Sequence, residues 1–298
     1  MRNRPYNWAM LQVGPWRIQS VVTGHVRLDG GAMFGVVPRV VWERLTPPDE
    51  KHRILLATRT LLAVHDRAQR VVLVDTGTGH KWEPALAERY GVEPIPAAIE
   101  AALARLDLGP DDVTDLVVTH LHFDHCGGMT EWEAAPGGAT RLRFPKARHW
   151  ITRRHWDHAR APTLRDRASF FPHDFAALEP AGVLAFVDDP HQAEGIPDVN
   201  WQISSGHTPG QLLPRFNGGS GERDVLFVGD LVPTTAHLPP AWVMAYDLVP
   251  LTTLAERVAL WKQCREDDFL VTFPHDPQHG IVRLAFEQDR PQIGEVLG

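Results

Sequence analysis

Asp115-Leu116-Val117-Val118-Thr119 runs without a break into His120-Leu121-His122-Phe123-Asp124-His125-Cys126-Gly127-Gly128. The first five residues are apolar and β-branched enough to predict a short buried strand. Such a strand must bring the four ligand-type side chains that follow to a loop at the end of a sheet, where reactive groups collect. In extended backbone, residues i and i+2 project the same way, so His120 and His122 are expected to grip one metal ion together. Asp124 and His125 follow a change of direction and are expected to face a second ion. Mixed imidazole and carboxylate ligands suit zinc, manganese, iron or cobalt better than copper. Gly127 and Gly128 are expected to let the backbone turn tightly behind the site.

Along the rest of the chain, strands are predicted at Trp16–Val22, 53–64, 70–74, Val183–Val187, 199–203, 224–228 and Phe269–Phe273, and helices at Trp82–Tyr90, Ile95–Leu106 and Thr252–Cys264. In the second helix Ile95, Ile99, Ala102 and Leu106 recur at helical spacing. Four of these strands end in a loop with ligand-type residues: Asp75-Thr76-Gly77, Gly206-His207-Thr208-Pro209-Gly210, Gly229-Asp230 and Pro274-His275-Asp276. Asp75 is placed to stand behind the metal site and orient a ligand by hydrogen bonding, which is how outer carboxylates tune metals. Leu28–Pro38, three glycines around Met33-Phe34, suggests a bent loop presenting apolar side chains. This order of strands and helices fits a layered α/β architecture.

The chain has 298 residues, 43% of them apolar, a net charge of −7 and a pI near 6.1. That allows a sizeable core and gives no global case for nucleic acid. Cys126 and Cys264 are far apart and form no CxxC pair, so a disulfide framework is not expected and a reducing compartment fits. Cys126 reads as a small buried residue. Met1–Trp8 has no apolar signal core, and no run approaches the roughly 20 apolar residues of a membrane span, so a cytoplasmic protein without membrane contact is expected. Residues 141–170 carry nine Lys or Arg and two Asp, a net of +7 that leaves −14 for the rest. A solvated helix paired with acidic neighbours is the expectation there, with His149, His155 and His158 on the surface.

The His-x-His-x-Asp-His run resembles the metal-binding motif of the metallo-β-lactamase superfamily, and its Phe is similar to the lactonase branch. Asp75-Thr76-Gly77, His207, Gly229-Asp230 and His275 are similar to the remaining motifs. The resemblance implies an αββα sandwich over residues 1–298, taken as one domain, with a dinuclear site at one edge of the sheets. It implies that His120, His122 and His207 bind one divalent ion, that Asp124, His125 and His275 bind another, and that Asp230 bridges them; zinc is the expected metal. It also makes Leu28–Pro38 similar to a loop bordering the substrate pocket, with Met33 and Phe34 as its apolar wall.

Two dications about 3.5–4 Å apart can share a hydroxide that attacks an acyl carbon, with Asp124 relaying a proton to the leaving group. No GxSxG nucleophile motif competes. His-Phe-Asp-His, the Leu28–Pro38 loop and Gly229–His237 resemble N-acyl homoserine lactonases, implying a small acylated lactone as substrate; a homodimer is compatible with the resemblance. One departure stands out. Several lactonases carry a substrate-holding Tyr shortly after the bridging Asp, where this chain has Pro233. His237, Thr234 and Tyr246 are the candidates for that role. The alternatives are a glyoxalase-II-like thioesterase, which needs a cationic site for glutathione carboxylates, and a nuclease, which needs a basic cleft.

Overall fold

The computed structural model describes residues 10–191 and 195–297; Met1–Trp8 lies outside them. In chain order the elements are β1 (Leu11–Val13), β2 (Trp16–Asp29), α1 (Gly30–Phe34), α2 (Arg39–Trp42), β3 (Arg53–His65), β4 (Arg70–Val74), α3 (Pro84–Tyr90), β5 (Glu93–Pro94), α4 (Ala98–Ala104), β6 (Asp115–Val117), α5 (Phe123–Cys126), β7 (Thr130–Trp132), β8 (Thr140–Leu142), β9 (Arg148–Ile151), α6 (Arg153–Arg160), α7 (Pro172–Phe175) and β10 (Leu184–Phe186). The second half adds β11 (Val199–Ser204), β12 (Gln211–Phe216), β13 (Val225–Phe227), α8 (Pro250–Asp267), β14 (Leu270–Thr272), β15 (Ile281–Glu287) and β16 (Arg290–Val296). One sheet runs β1-β2-β3-β4-β6-β9-β10, with β5 beside β2, a second runs β11 through β16 in order, and β7 and β8 form a separate two-stranded sheet.

Period-two alternation sorts the side chains into layers. Along β3 and β4, Leu61, Ala63, Val72 and Val74 face the second sheet, where they meet Trp201, Phe216, Val225 and Phe227. The intervening Leu62, Val64, Val71 and Leu73 face outward onto Ile99 and Leu103 of α4 and share a core with Trp156 of α6. In the second sheet Val225 and Phe227 point inward, while Leu226 points out toward Leu260 and Trp261 of α8. Strands buried on both faces read as near-continuous apolar runs, which is why β3, β4 and β6 were legible. The result is helix, sheet, sheet, helix: the expected αββα sandwich.

The parallel pairs position the site. β4, β6 and β9 run side by side in the same direction, with Val74 opposite Val117, so Asp75 and the residues after Val117 emerge together. β13 and β14 are also parallel, with Phe227 opposite Thr272, so Gly229-Asp230 and His275 emerge together from the other sheet. The two edges are stitched by Leu212 N–H to Thr119 O (2.9 Å) and Ala57 N–H to His275 O (3.0 Å).

Several expectations need correction. β2 extends seven residues past Val22, to Asp29, because β3 pairs with it throughout. Leu28–Pro38 contains the helix α1, whose first turn is capped by Asp29 accepting from Ala32 N (2.8 Å). His149 and His155 are fully buried, on β9 and α6, and His158 is largely buried against Asp166. Gly127 and Gly128 keep negative φ. Both lie in the 3₁₀ turn Gly127–Met129, and a Cβ on Gly127 would lie 2.3 Å from Thr78 O and one on Gly128 2.4 Å from Thr76 O, so close backbone approach is what requires glycine in that turn.

Candidate metal centre

The His-x-His-x-Asp-His run changes direction where expected. His122 is still extended (φ −68°, ψ 147°), and α5 starts at Phe123. His120, His122 and His207 bring one ligand atom each within 4.8 Å of one another, and so do Asp124, His125 and His275. Asp230 lies between the two sets. Its Oδ2 is 3.4 Å from His207 Nε2 and 4.0 Å from His120 Nε2, while its Oδ1 is 3.1 Å from His275 Nε2 and 3.3 Å from His125 Nε2. One carboxylate thus offers one oxygen to each set. All seven side chains are buried.

The outward nitrogens show what the inward ones must be. His125 Nδ1 is 2.9 Å from Asp75 Oδ2, His207 Nδ1 is 3.0 Å from Asp247 Oδ1, and His275 Nδ1 is 2.8 Å from Ala57 O. Facing acceptors, these Nδ1 atoms carry the proton. Thr119 Oγ1 donates to Asp75 Oδ2 (2.8 Å), so its oxygen accepts from His120 Nδ1 (3.0 Å). In the neutral imidazoles all four Nε2 atoms are therefore bare lone pairs aimed inward. His125 and His275 bring theirs to 3.0 Å of each other, and His120 Nε2 and Asp230 Oδ1 have no hydrogen-bond partner. Lone pairs and carboxylates converging in a buried space need cations, because buried polar groups without partners are costly. The outer carboxylates and carbonyl are the usual supports of metal-bound imidazole. The donor set fits divalent ions.

Without metal, protons answer the same field. Burial works against charging His125 and His275, but the carboxylates of Asp230 and Asp124 outweigh it and hold both imidazoles above their ordinary range, His125 well above. Burial pushes Asp230 up, and His275 and His125 more than reverse this, leaving it well below the usual carboxylate range. Burial and then neighbouring imidazoles push His120 and His122 well down.

Asp75 stands behind His125 with positive φ (57°), and its carboxylate also accepts from Thr119 N (2.8 Å). Asp247 was missed by sequence reasoning: it follows Tyr246 in an irregular loop, with no strand before it to flag it. It is buried, and its Oδ2 accepts from Met244 N (3.1 Å). Glu256 of α8 was also missed; it accepts from Ser204 Oγ (2.7 Å), Ser205 N (2.8 Å) and Gly206 N (3.2 Å), fixing the approach to His207. Cys126 is buried and free, its thiol pushed well up by burial.

The candidates for holding substrate separate clearly. His237 is fully buried; Nδ1 pairs with Thr234 Oγ1 (2.7 Å) and Nε2 with Met33 O (2.9 Å). Neither His237 nor Thr234 has a free group to offer. Phe34 is fully buried, stacked between His237 (4.6 Å) and Trp42 (5.2 Å), and Met33 is 2% exposed in the same cluster. They back the loop and do not line an open wall; an apolar pair between glycines reads the same in either role. Tyr246 is different: it is 38% exposed. Burial of its ring, then the charges of Asp29 and Asp124, push its phenol up, so Oη stays protonated at neutral pH.

Family comparison agrees with this geometry. Residues 58–287 match the model of the metallo-beta-lactamase superfamily. The chain belongs to that superfamily. A solved structure described as a probable metal-dependent hydrolase from Staphylococcus aureus is 26% identical, covers 97% of this chain and all of that one, and superposes with a TM-score of 0.85. AidC, described as a dizinc quorum-quenching lactonase in complex with a product, shares the fold at 18% identity, with coverage of 97% and 98% and a TM-score of 0.77. The N-acyl homoserine lactonase AttM of Azorhizobium caulinodans is 30% identical over 112 residues, a match that spans 37% of this chain and 38% of that relative. The protein has the metallo-β-lactamase fold. No helix among the described residues is long and apolar enough to cross a membrane.

Proposed function

We propose that this protein opens the ring of N-acyl homoserine lactones at a two-metal centre, with His120, His122 and His207 on one ion, Asp124, His125 and His275 on the other, and Asp230 shared. Zinc is the metal best suited to the ligands, with manganese, iron or cobalt as substitutes. When bound, such ions polarise an ester carbonyl and bring the pKa of a water close to neutrality. The chain's own groups do the rest. Tyr246 Oη donates a hydrogen bond to the carbonyl oxygen as negative charge grows there. Asp124, 3.5 Å from His275 Nε2 through Oδ2, takes up the proton that the attacking water gives up and passes it to the leaving ring oxygen. Burial of the ligand set keeps bulk water from screening these interactions.

The observation that carries the choice of a neutral acyl substrate is the charge around Tyr246. The carboxylate of Asp29, which stands outside the ligand set, reaches its phenol and repels an anion. A glutathione thioester would need cations there. Five of the nine basic residues of the 141–170 segment are paired with carboxylates, while Arg154 donates to Ser205 Oγ (3.3 Å) and Arg165 to Ala245 O. Arg141 pairs with Glu131, Arg143 with Glu100, Lys146 with Asp111, Arg153 with Asp188 and Arg160 with Glu179. The partial match to AttM and the fold shared with AidC point the same way. The test is a panel of acyl homoserine lactones, S-acyl glutathiones and phosphodiesters on zinc-loaded protein. Lactone opening with little thioester turnover supports the proposal; preference for the thioester overturns it.

A further inference from the structure

We propose that His155 is a positioning residue that fixes the distance between the two loops of the His120–His122–His207 set. This rests on the reading of that set as a metal site. His155 is fully buried on α6. Its Nε2 accepts from Leu121 N–H (2.8 Å), and Leu121 lies between His120 and His122. Its Nδ1 donates to Pro209 O (3.1 Å), two residues past His207. One neutral imidazole therefore ties both ligand loops, using each nitrogen once. Burial pushes its pKa down to about 3, in keeping with the neutral form that this donor-and-acceptor pattern requires.

The support is local to one side of the centre. Thr152, the N-cap of α6, donates to Gly210 O (2.5 Å) and accepts from His155 N (3.1 Å), so the same helix end grips the His207 loop twice. Gly210, at φ +76°, would place a Cβ 2.6 Å from Thr152 Oγ1, which shows how tightly loop and helix meet. His125 and His275 are braced instead by Asp75 and Ala57 O. No bond of His155 reaches them.

The consequence is site-selective. Removing the imidazole leaves Leu121 N–H buried without an acceptor and frees the two loops to separate, while the other set keeps its braces. His155→Phe keeps bulk but no hydrogen bond. His155→Gln keeps one donor and one acceptor on a shared carbon, as the imidazole does. Zinc affinity is measured by chelator competition in two backgrounds, His275→Ala to isolate the first set and His207→Ala to isolate the second. His155→Phe should weaken zinc binding tenfold or more in the first background, the usual scale for an outer partner, and within about twofold in the second; His155→Gln should recover most of the loss. His155→Ala, run in parallel, reads the same contrast should the Phe variant not fold. Equal losses in both backgrounds, or no loss in either, would overturn the inference. A wild-type chain that binds no zinc would overturn the metal reading itself.

Discussion

Replacing Asp247 by Asn changes no shape and tests how an outer carboxylate controls a metal ligand. Asp247 accepts two hydrogen bonds at once, from His207 Nδ1 (3.0 Å) and Met244 N (3.1 Å). A carboxamide has one acceptor oxygen and one donor nitrogen. If the oxygen keeps Met244, the amide N–H faces His207 Nδ1 and forces the proton to Nε2, which then cannot coordinate. If the oxygen keeps His207, two donors collide at Met244. Either arrangement leaves one buried polar group unsatisfied, costing about 1–3 kcal/mol. At ~1.4 kcal/mol per decade that corresponds to about five- to 150-fold in affinity, bracketing the 10–100-fold typical of outer partners. Chelator competition with zinc should show one of the two sites weakened by that factor and the other unchanged. Wild-type affinity at both sites would refute the tautomer argument.

The other expectations follow from the same geometry. Asp230→Asn should lose more zinc and activity than Asp75→Asn, because Asp230 faces both ligand sets whereas Asp75 braces His125; equal losses at unchanged metal content would show that Asp230 is not shared. Tyr246→Phe should lower lactone kcat/KM by about 10²-fold, the scale for one donor to a developing oxyanion, with metal content intact; an unaltered rate would remove Tyr246 from the reaction. Phe34→Ala should destabilise the fold by about 3–5 kcal/mol, as for a buried ring, with equal kinetic losses on short and long acyl chains; a penalty growing with chain length would restore Phe34 as a substrate wall. His149, pushed by burial from 6.5 down to about 4, is neutral in the fold and takes up a proton on unfolding. Its contribution is complete above pH 6.5, is lost as pH falls from there toward 4, and amounts to roughly 3 kcal/mol. His149→Gln should therefore flatten the stability curve of metal-free protein across pH 6.5–4; an unchanged slope would contradict the assignment.

Much of this was legible because strands that end in ligands are local patterns. β3, β4 and β6 are buried on both faces, so their apolar runs stand out, and His120, His207, Asp230 and His275 each lie three residues past the end of a strand. What could not be read was support arriving from elsewhere in the chain. Asp247 reaches His207 across 40 residues and His155 reaches Leu121 across 34. A His in a basic helical segment carries no mark of the backbone groups it will meet after folding, so His155 read as surface. The position of Phe34 was equally hidden, because Trp42, Trp242 and His237 close around it only when three separate segments meet.

The central claim is a shared carboxylate between two three-residue ligand sets. Anomalous X-ray diffraction from zinc-loaded crystals tests it most directly. Two zinc peaks are expected about 3.5–4 Å apart, one against His120, His122 and His207, the other against Asp124, His125 and His275, with Asp230 reaching both. A single peak, or two peaks with Asp230 bound to only one, would contradict it.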